Sequence, residues 1–257
     1  MAKSARHVVV TGAGTGIGRA IAVALAAKGS SLTLLARDAG RLEATAELVR
    51  EHGAQAQAIP CDIRKRKAVD LAFADAAARF GPIHVLVANS GVGGPNAAGP
   101  KDRFDDLVAT NLVGTYSCLR AAERHLAPGP APRHFVVIAS ILARIGVANY
   151  TGYCASKAGL LGLVRSLAAE LAPANVQVNA LCPGWVNTEM ARSGLEGFAR
   201  AMNSTYERAF EVAMESVPLK RMSEPEEVAA LVRWLVSKEA RGITGQGLDI
   251  NNGAWMG

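Results

Sequence analysis

His7-Val8-Val9-Val10-Thr11-Gly12-Ala13-Gly14-Thr15-Gly16-Ile17-Gly18 decides how this chain is read. An apolar run passes directly into a glycine-rich octet. Beyond it, Ile21, Ala22, Leu25 and Ala26 recur at helical spacing up to Lys28-Gly29. The pattern predicts a buried parallel strand, a glycine turn and a packed helix. Glycines at that junction let a phosphate backbone come close, and the N–H groups opening the helix can hold a pyrophosphate. A tight strand-to-helix turn also needs glycines for packing alone. The octet is spaced T-G-x-x-x-G-x-G and departs from the usual G-x-G-x-x-G fingerprint. The rest of the chain must therefore decide its meaning.

Outward from this unit, strands and helices alternate. Strands are expected at 32–36, 55–60, 85–88, 135–138, 176–181 and 247–250. Helices are expected at 41–52, 65–80, 104–126, 153–171 and 225–235. Most strands are apolar on nearly every residue, which means a parallel sheet covered on both faces. Right-handed crossovers make this a three-layer, doubly wound Rossmann α/β fold. Ligands of such sheets lie beyond the carboxyl ends of the strands. The residues there are Gly12, Arg37, Asp62, Asn89, Ser140 and Gly184.

Composition narrows the class. The chain has 257 residues, 50% hydrophobic and 19% charged, which suits one domain over 1–257 with a large core. No 18-residue apolar run is present, so no membrane span is expected. The first residues run into the first strand with no apolar leader, and a cytoplasmic protein is expected. Cys61, Cys118, Cys154 and Cys182 are far apart. They read as free thiols, with no metal site or disulfide framework. The formal charge is +6, but the densest basic run is Arg64-Lys65-Arg66-Lys67, with no nucleic-acid-binding signature beside it. A basic surface, or a site for an anionic cofactor or substrate, explains the charge better.

Chemistry is carried by Tyr153-Cys154-Ala155-Ser156-Lys157, where a tyrosine and a lysine four apart share one helix face. A nearby ammonium favours the phenolate, so Lys157 is expected to lower the pKa of Tyr153 and make it a general acid/base. Ser140 ends a strand and can hydrogen-bond a carbonyl oxygen. Asn111 stands inside an expected helix, where asparagine is a poor former and needs another reason to be there.

In this order, the octet, Asp62, Asn89-Ser90-Gly91, Asn111, Ser140, Tyr153 with Lys157, and Pro183-Gly184-Trp185-Val186-Asn187-Thr188 resemble the short-chain dehydrogenase/reductase family, over nearly the whole chain. The resemblance implies a hydride transfer between a nicotinamide cofactor and a ketone or secondary alcohol. Tyr153 would exchange the proton and Ser140 orient the carbonyl. Lys157 would hold the nicotinamide ribose, and Asn111 a water linking Lys157 to solvent. The cofactor would be met by Gly12, Thr15, Gly16, Ile17, Gly18, Arg37, Asp62, Ile63, Asn89, Gly91, Tyr153, Lys157, Pro183, Gly184, Val186 and Thr188. Asp62 and the Ile63 backbone would meet the adenine, and Thr188 and the Val186 backbone the carboxamide. No metal is implied. A homotetramer is.

Ala88 replaces the first Asn of the family's N-N-A-G. Residues 188–219 would form a lid over the substrate, with short helices at 189–201 and 205–216. Its length and Pro218-Leu219-Lys220-Arg221 resemble ketoreductases of 3-oxoacyl thioesters and aromatic polyketides. Arg192, Arg200 and Arg208 could meet a thioester carrier's phosphate or stand solvated. Cofactor choice turns on the end of the second strand. Ala36 occupies the position of the carboxylate that selects NAD, and Arg37, a fork suited to a 2′-phosphate, follows. Asp38 is expected to face solvent or cap the next helix. Thr15 stands where many NADP-dependent relatives carry a second basic residue. The reading is thus an NADP(H)-dependent reductase of a ketone, with NAD(H) possible. The alternatives are an NAD-dependent dehydrogenase working oxidatively and a non-catalytic dinucleotide sensor.

Overall fold

A computed structural model describes residues 6–257; residues 1–5, on which the expectation about a leader rests, lie outside them. Seven parallel strands form one sheet in the order β3-β2-β1-β4-β5-β6-β7. They are β1 (His7–Thr11), β2 (Ser31–Ala36), β3 (Gln55–Pro60), β4 (Val85–Ala88), β5 (Arg133–Ile138), β6 (Val176–Pro183) and β7 (Gly247–Ile250). The helices are α1 (Gly16–Leu25), α2 (Ala39–Glu51), α3 (Arg66–Phe80), α4 (Phe104–Val108), α5 (Thr115–Glu123), α6 (Thr151–Leu171), α7 (Glu189–Ala201), α8 (Tyr206–Glu215) and α9 (Pro225–Leu235).

Alternate residues of each central strand feed two cores. Val9, Phe135 and Val137 join α3, α5 and α6 on one face. Val8, Val10, Val136 and Ile138 join α1, α2 and α9 on the other. This is the doubly wound Rossmann arrangement. The chain runs outward from β1 to β3, then returns to β4 on the other side of β1. The crevice beyond the ends of β1 and β4 is therefore the switch point where ligands bind. Among the described residues, no helix is long and apolar enough to cross a membrane. None of their His, Cys, Asp and Glu side chains group to hold a metal ion.

Three expectations need correction. The helix expected at 104–126 is not one α-helix: α4 passes into a π-helical segment, Ala109–Gly114, before α5 ends at Glu123. Asn111, whose side-chain bonds are described below, lies within that segment. The tyrosine-bearing helix begins at Thr151, not at Tyr153, so Tyr153 sits within its first turn. Strand β6 runs on to Pro183, pairing with Ile250 of β7.

Candidate active site

The glycine turn is closed by contacts that leave no room for side chains. Gly12 and Gly16 have φ of 65° and 51°, which favours glycine. A Cβ on Gly18 would lie 2.1 Å from the Gly12 carbonyl oxygen. Asn89, after β4, donates its amide to the carbonyls of Thr11 and Gly12, each at 3.1 Å. The Thr11 hydroxyl accepts the backbone N–H groups of Asn89 and Ser90 at 3.0 Å. The ends of β1 and β4 stay joined although Ala88 replaces an Asn. Thr15 opens α1 without a side-chain cap, leaving the first N–H groups of the helix for an anion.

At the end of β2, Arg37 is exposed. Among the described residues no hydrogen bond or ion pair engages its side chain. Asp38 caps α2, accepting the Arg41 N–H at 3.0 Å, as expected. The Asp62 carboxylate is held by the Arg64 fork, at 2.7 Å from Nη2 and 3.0 Å from Nε. Arg64 also reaches Asp106. These bonds pull the Asp62 carboxyl down to about 2. Ile63 is buried, its side chain against Gly114 of the π segment.

The expected catalytic set converges beneath the β4 and β5 ends. Asn111 is wholly buried. Its Oδ1 accepts the Val92 N–H at 2.8 Å, and its Nδ2 donates to the Val92 carbonyl at 3.0 Å and to Ser156 Oγ at 3.1 Å. The amide thus ties a helix wall to the loop after β4, and the helix accommodates it with a π-helical turn. Ser140 lies two residues beyond β5, at the start of a short turn, and accepts the Leu142 N–H at 3.1 Å. Lys157 is 5% exposed and donates to the Ile138 carbonyl at 2.9 Å. A Cβ on Gly91 would lie 3.1 Å from Asn111 Oδ1 and 3.6 Å from Lys157 Nζ.

The net shift of the Tyr153 phenol is upward, opposite in direction to the lowering expected from Lys157. Burial pushes the phenol above the usual value, and a hydrogen bond with Ser140 only partly offsets this. Lys157 Nζ lies 5.7 Å from the tyrosine ring centroid. Its own pKa falls to about 8 because its charge is desolvated.

After β6, the chain closes back on the glycine turn. Gly184 packs on Asn251, and buried Val186 bridges to Ser223. Thr188 caps α7 by accepting the Ala191 N–H at 3.3 Å, and its Cγ2 would meet a Cβ on Gly16 at 3.0 Å. Helices α7 and α8 follow the expected bounds closely. Met190 Sδ would lie 2.9 Å from a Cβ on Gly93, itself 3.9 Å from Tyr153 Cε2. The segment lies against the loop beside the tyrosine. Of the arginines considered for a phosphate, Arg192 bonds Asn187 and Arg208 pairs with Glu211.

Two side chains at the site escaped sequence reasoning. Arg144 donates to the Gly247 carbonyl at 2.7 Å, pairs with Asp249 and lies over the Trp255 ring. It ties the turn after Ser140 to β7. Arg41 pairs with Glu189 at 2.8 Å. Both partnerships span more than a hundred residues, and no local pattern signals them.

Comparison with known proteins agrees with this geometry. A family model described as enoyl-(acyl carrier protein) reductase matches residues 12–254. A protein named as the ketoacyl reductase of the monensin polyketide synthase of Streptomyces virginiae is 37% identical over 97% of each chain. The 3-oxoacyl-(acyl-carrier-protein) reductase MabA of Mycobacterium tuberculosis is 32% identical, over 98% of this chain and 94% of its own. A variant of actinorhodin polyketide ketoreductase, solved with NADPH, superposes with a TM-score of 0.90 at 34% identity, covering 99% of both chains. Fold and site together define a dinucleotide-binding oxidoreductase. The chain belongs to the short-chain dehydrogenase/reductase family.

Proposed function

We propose that this enzyme is an NADP-dependent reductase of a ketone, either a 3-oxoacyl thioester or a cyclic or polyketide ketone. The observation that carries the cofactor choice is Arg37, exposed and unpaired among the described residues, beside Ala36 where an NAD-selecting carboxylate would stand. The NADPH in the actinorhodin ketoreductase structure and the names of the similar reductases support the same reading.

The residues fit such a cofactor. The side-chain-free faces of Gly12, Gly16 and Gly18 and the uncapped start of α1, with Thr15 and Ile17, suit a pyrophosphate. Arg37 suits the 2′-phosphate, and Asp62 with the Ile63 backbone the adenine. Asn89 and Gly91 line the middle of the cleft, and Pro183, Gly184, Val186 and Thr188 the nicotinamide end. When bound, the cofactor supplies the hydride. Ser140 Oγ donates a hydrogen bond to the ketone oxygen, stabilising the charge that develops there. Tyr153 Oη gives that oxygen its proton, and Lys157 holds the ribose hydroxyls while favouring the phenolate left behind. Asn111 fixes the loop after β4 and sits beside Lys157, where a water would return the proton. The chain works as one domain, with residues 188–219 as the lid over the substrate.

The test is a turnover panel of 3-oxoacyl thioesters on coenzyme A and on carrier protein, together with cyclic ketones, each with NADPH and NADH. Expected is ketone reduction with NADPH preferred roughly 10- to 100-fold, the scale of one or two charge-assisted bonds. A preference for NADH, or turnover only in alcohol oxidation with NAD, would sink the reading.

A further inference from the structure

The Arg41–Glu189 ion pair joins the two banks of the cofactor cleft. Arg41 stands in the first turn of α2, just beyond Arg37, and its Cβ packs on the glycine turn, 3.2 Å from where a Gly14 Cβ would be. Glu189 opens α7, next to Thr188, which rests on Gly16. Arg41 Nη1 meets Glu189 Oε2 at 2.8 Å, while the side chains remain 49% and 67% exposed. Such a pair is weak. Its other carboxylate neighbour, Asp38 at 3.6 Å, is engaged as the α2 cap. A phosphate dianion carries more charge and more acceptor oxygens than a carboxylate, and it matches the guanidinium fork.

We infer that Arg41 is a second specificity residue for the cofactor's 2′-phosphate, and that it exchanges Glu189 for that phosphate when NADP(H) binds. The inference rests on the NADP reading above. Glu189 then acts as an internal competitor for the arginine. It weakens binding of a cofactor that carries the phosphate and is indifferent to one that carries a 2′-hydroxyl.

Equilibrium titrations with NADPH and NADH, followed by nicotinamide fluorescence, test this without turnover. The proteins are the native enzyme, Glu189→Gln, Arg41→Ala, the double variant and Arg37→Ala. Glu189→Gln is expected to tighten NADPH binding roughly 2- to 5-fold, the worth of an exposed ion pair. Arg41→Ala is expected to weaken it roughly 10-fold, the worth of a charge-assisted bond, and to abolish the effect of Glu189→Gln in the double variant. NADH binding stays unchanged in all. If the native enzyme prefers NADPH and Arg37→Ala removes that preference, but the Arg41 and Glu189 variants move both cofactors alike or neither, the exchange is wrong and the NADP reading stands. If the native enzyme binds both cofactors equally, both fall together.

Discussion

Tyr153 is poised in an arrangement that depends on what surrounds it. Burial raises its pKa, so the phenol carries the proton that the proposed reduction would hand to the ketone. Tyr153→Phe removes that proton. The expected result is a kcat lowered at least ~10²-fold with the NADPH dissociation constant nearly unchanged, read by steady-state kinetics beside a titration. Lys157→Ala should damage both quantities, because the proposed mechanism gives one ammonium both the ribose and the phenol. The pH dependence has a definite sign. The Lys157 pKa is depressed to about 8, so its charged form is lost as pH rises through that value. The kcat/KM for reduction should accordingly decline above about pH 8. These residues were legible in the sequence because their roles demand particular chemistries at a set spacing. The direction of the Tyr153 shift was not, since it depends on the tertiary desolvation of a half-buried ring and on a lysine directed at the Ile138 carbonyl.

At the scale of elements, local caps made some helix boundaries legible, although α2, capped by Asp38, begins at Ala39, two residues before the start expected at 41. Thr188 and Thr205 accept N–H groups at the starts of α7 and α8, and both helices fell within a residue of expectation. The break between α4 and α5 carries no such mark. It holds Asn111, which bonds Val92 across nineteen residues, a tertiary contact that periodicity cannot report. Asn111→Leu would leave the part-buried N–H and carbonyl of Val92 without their amide partner, at up to about 1–3 kcal/mol where water cannot replace it. Expected are a lowered Tm and a turnover loss larger than the stability loss alone explains, since the same loop flanks Lys157. A Tm equal to the native value would show that the π-helical segment does not depend on this amide. The packing of β1 on α1 makes a sharper case. Gly18→Ala would drive a methyl into the Gly12 carbonyl, and backbone there cannot yield cheaply. Loss of cofactor binding together with a lowered Tm is expected.

Across the molecule, the end of the sheet opposite the cleft carries His7, His84 and His134 on neighbouring strands. The His7 N–H donates to His84 Nδ1 at 3.2 Å, which requires that nitrogen unprotonated. All three rings have pKa values lowered by burial, and Arg6 and Arg133 oppose a further positive charge there. His134 falls from 6.5 to about 4. Neutral rings in the fold against titrating rings in the unfolded chain give a stability that is complete above pH 6.5 and lost as pH falls towards 4. The expected Tm is flat just above neutrality and declines over that window, with a shallower decline in His134→Gln. Assembly is argued at the same scale. The apolar residues of α6 are mostly spent on the protein's own core: Leu160, Val164, Leu167 and Leu171 are buried against the sheet. Gly159 is covered by Leu112. Along its outward side the small residues Ala155, Ala158, Gly162 and Ala169 are exposed beside Arg165, Ser166 and Glu170, with open space above Gly162. Val113 is exposed on the neighbouring π segment. The small residues around Gly162 would let a second α6 approach closely, as the homotetramer implied by the family resemblance requires. Gly162→Glu places a charged side chain on that face while meeting nothing in its own chain. Light scattering at micromolar concentration should give a multiple of 26.8 kDa for the native protein and a smaller mass for the variant. A native mass near 26.8 kDa would overturn the assembly, and an unchanged mass in Gly162→Glu would move the interface off α6.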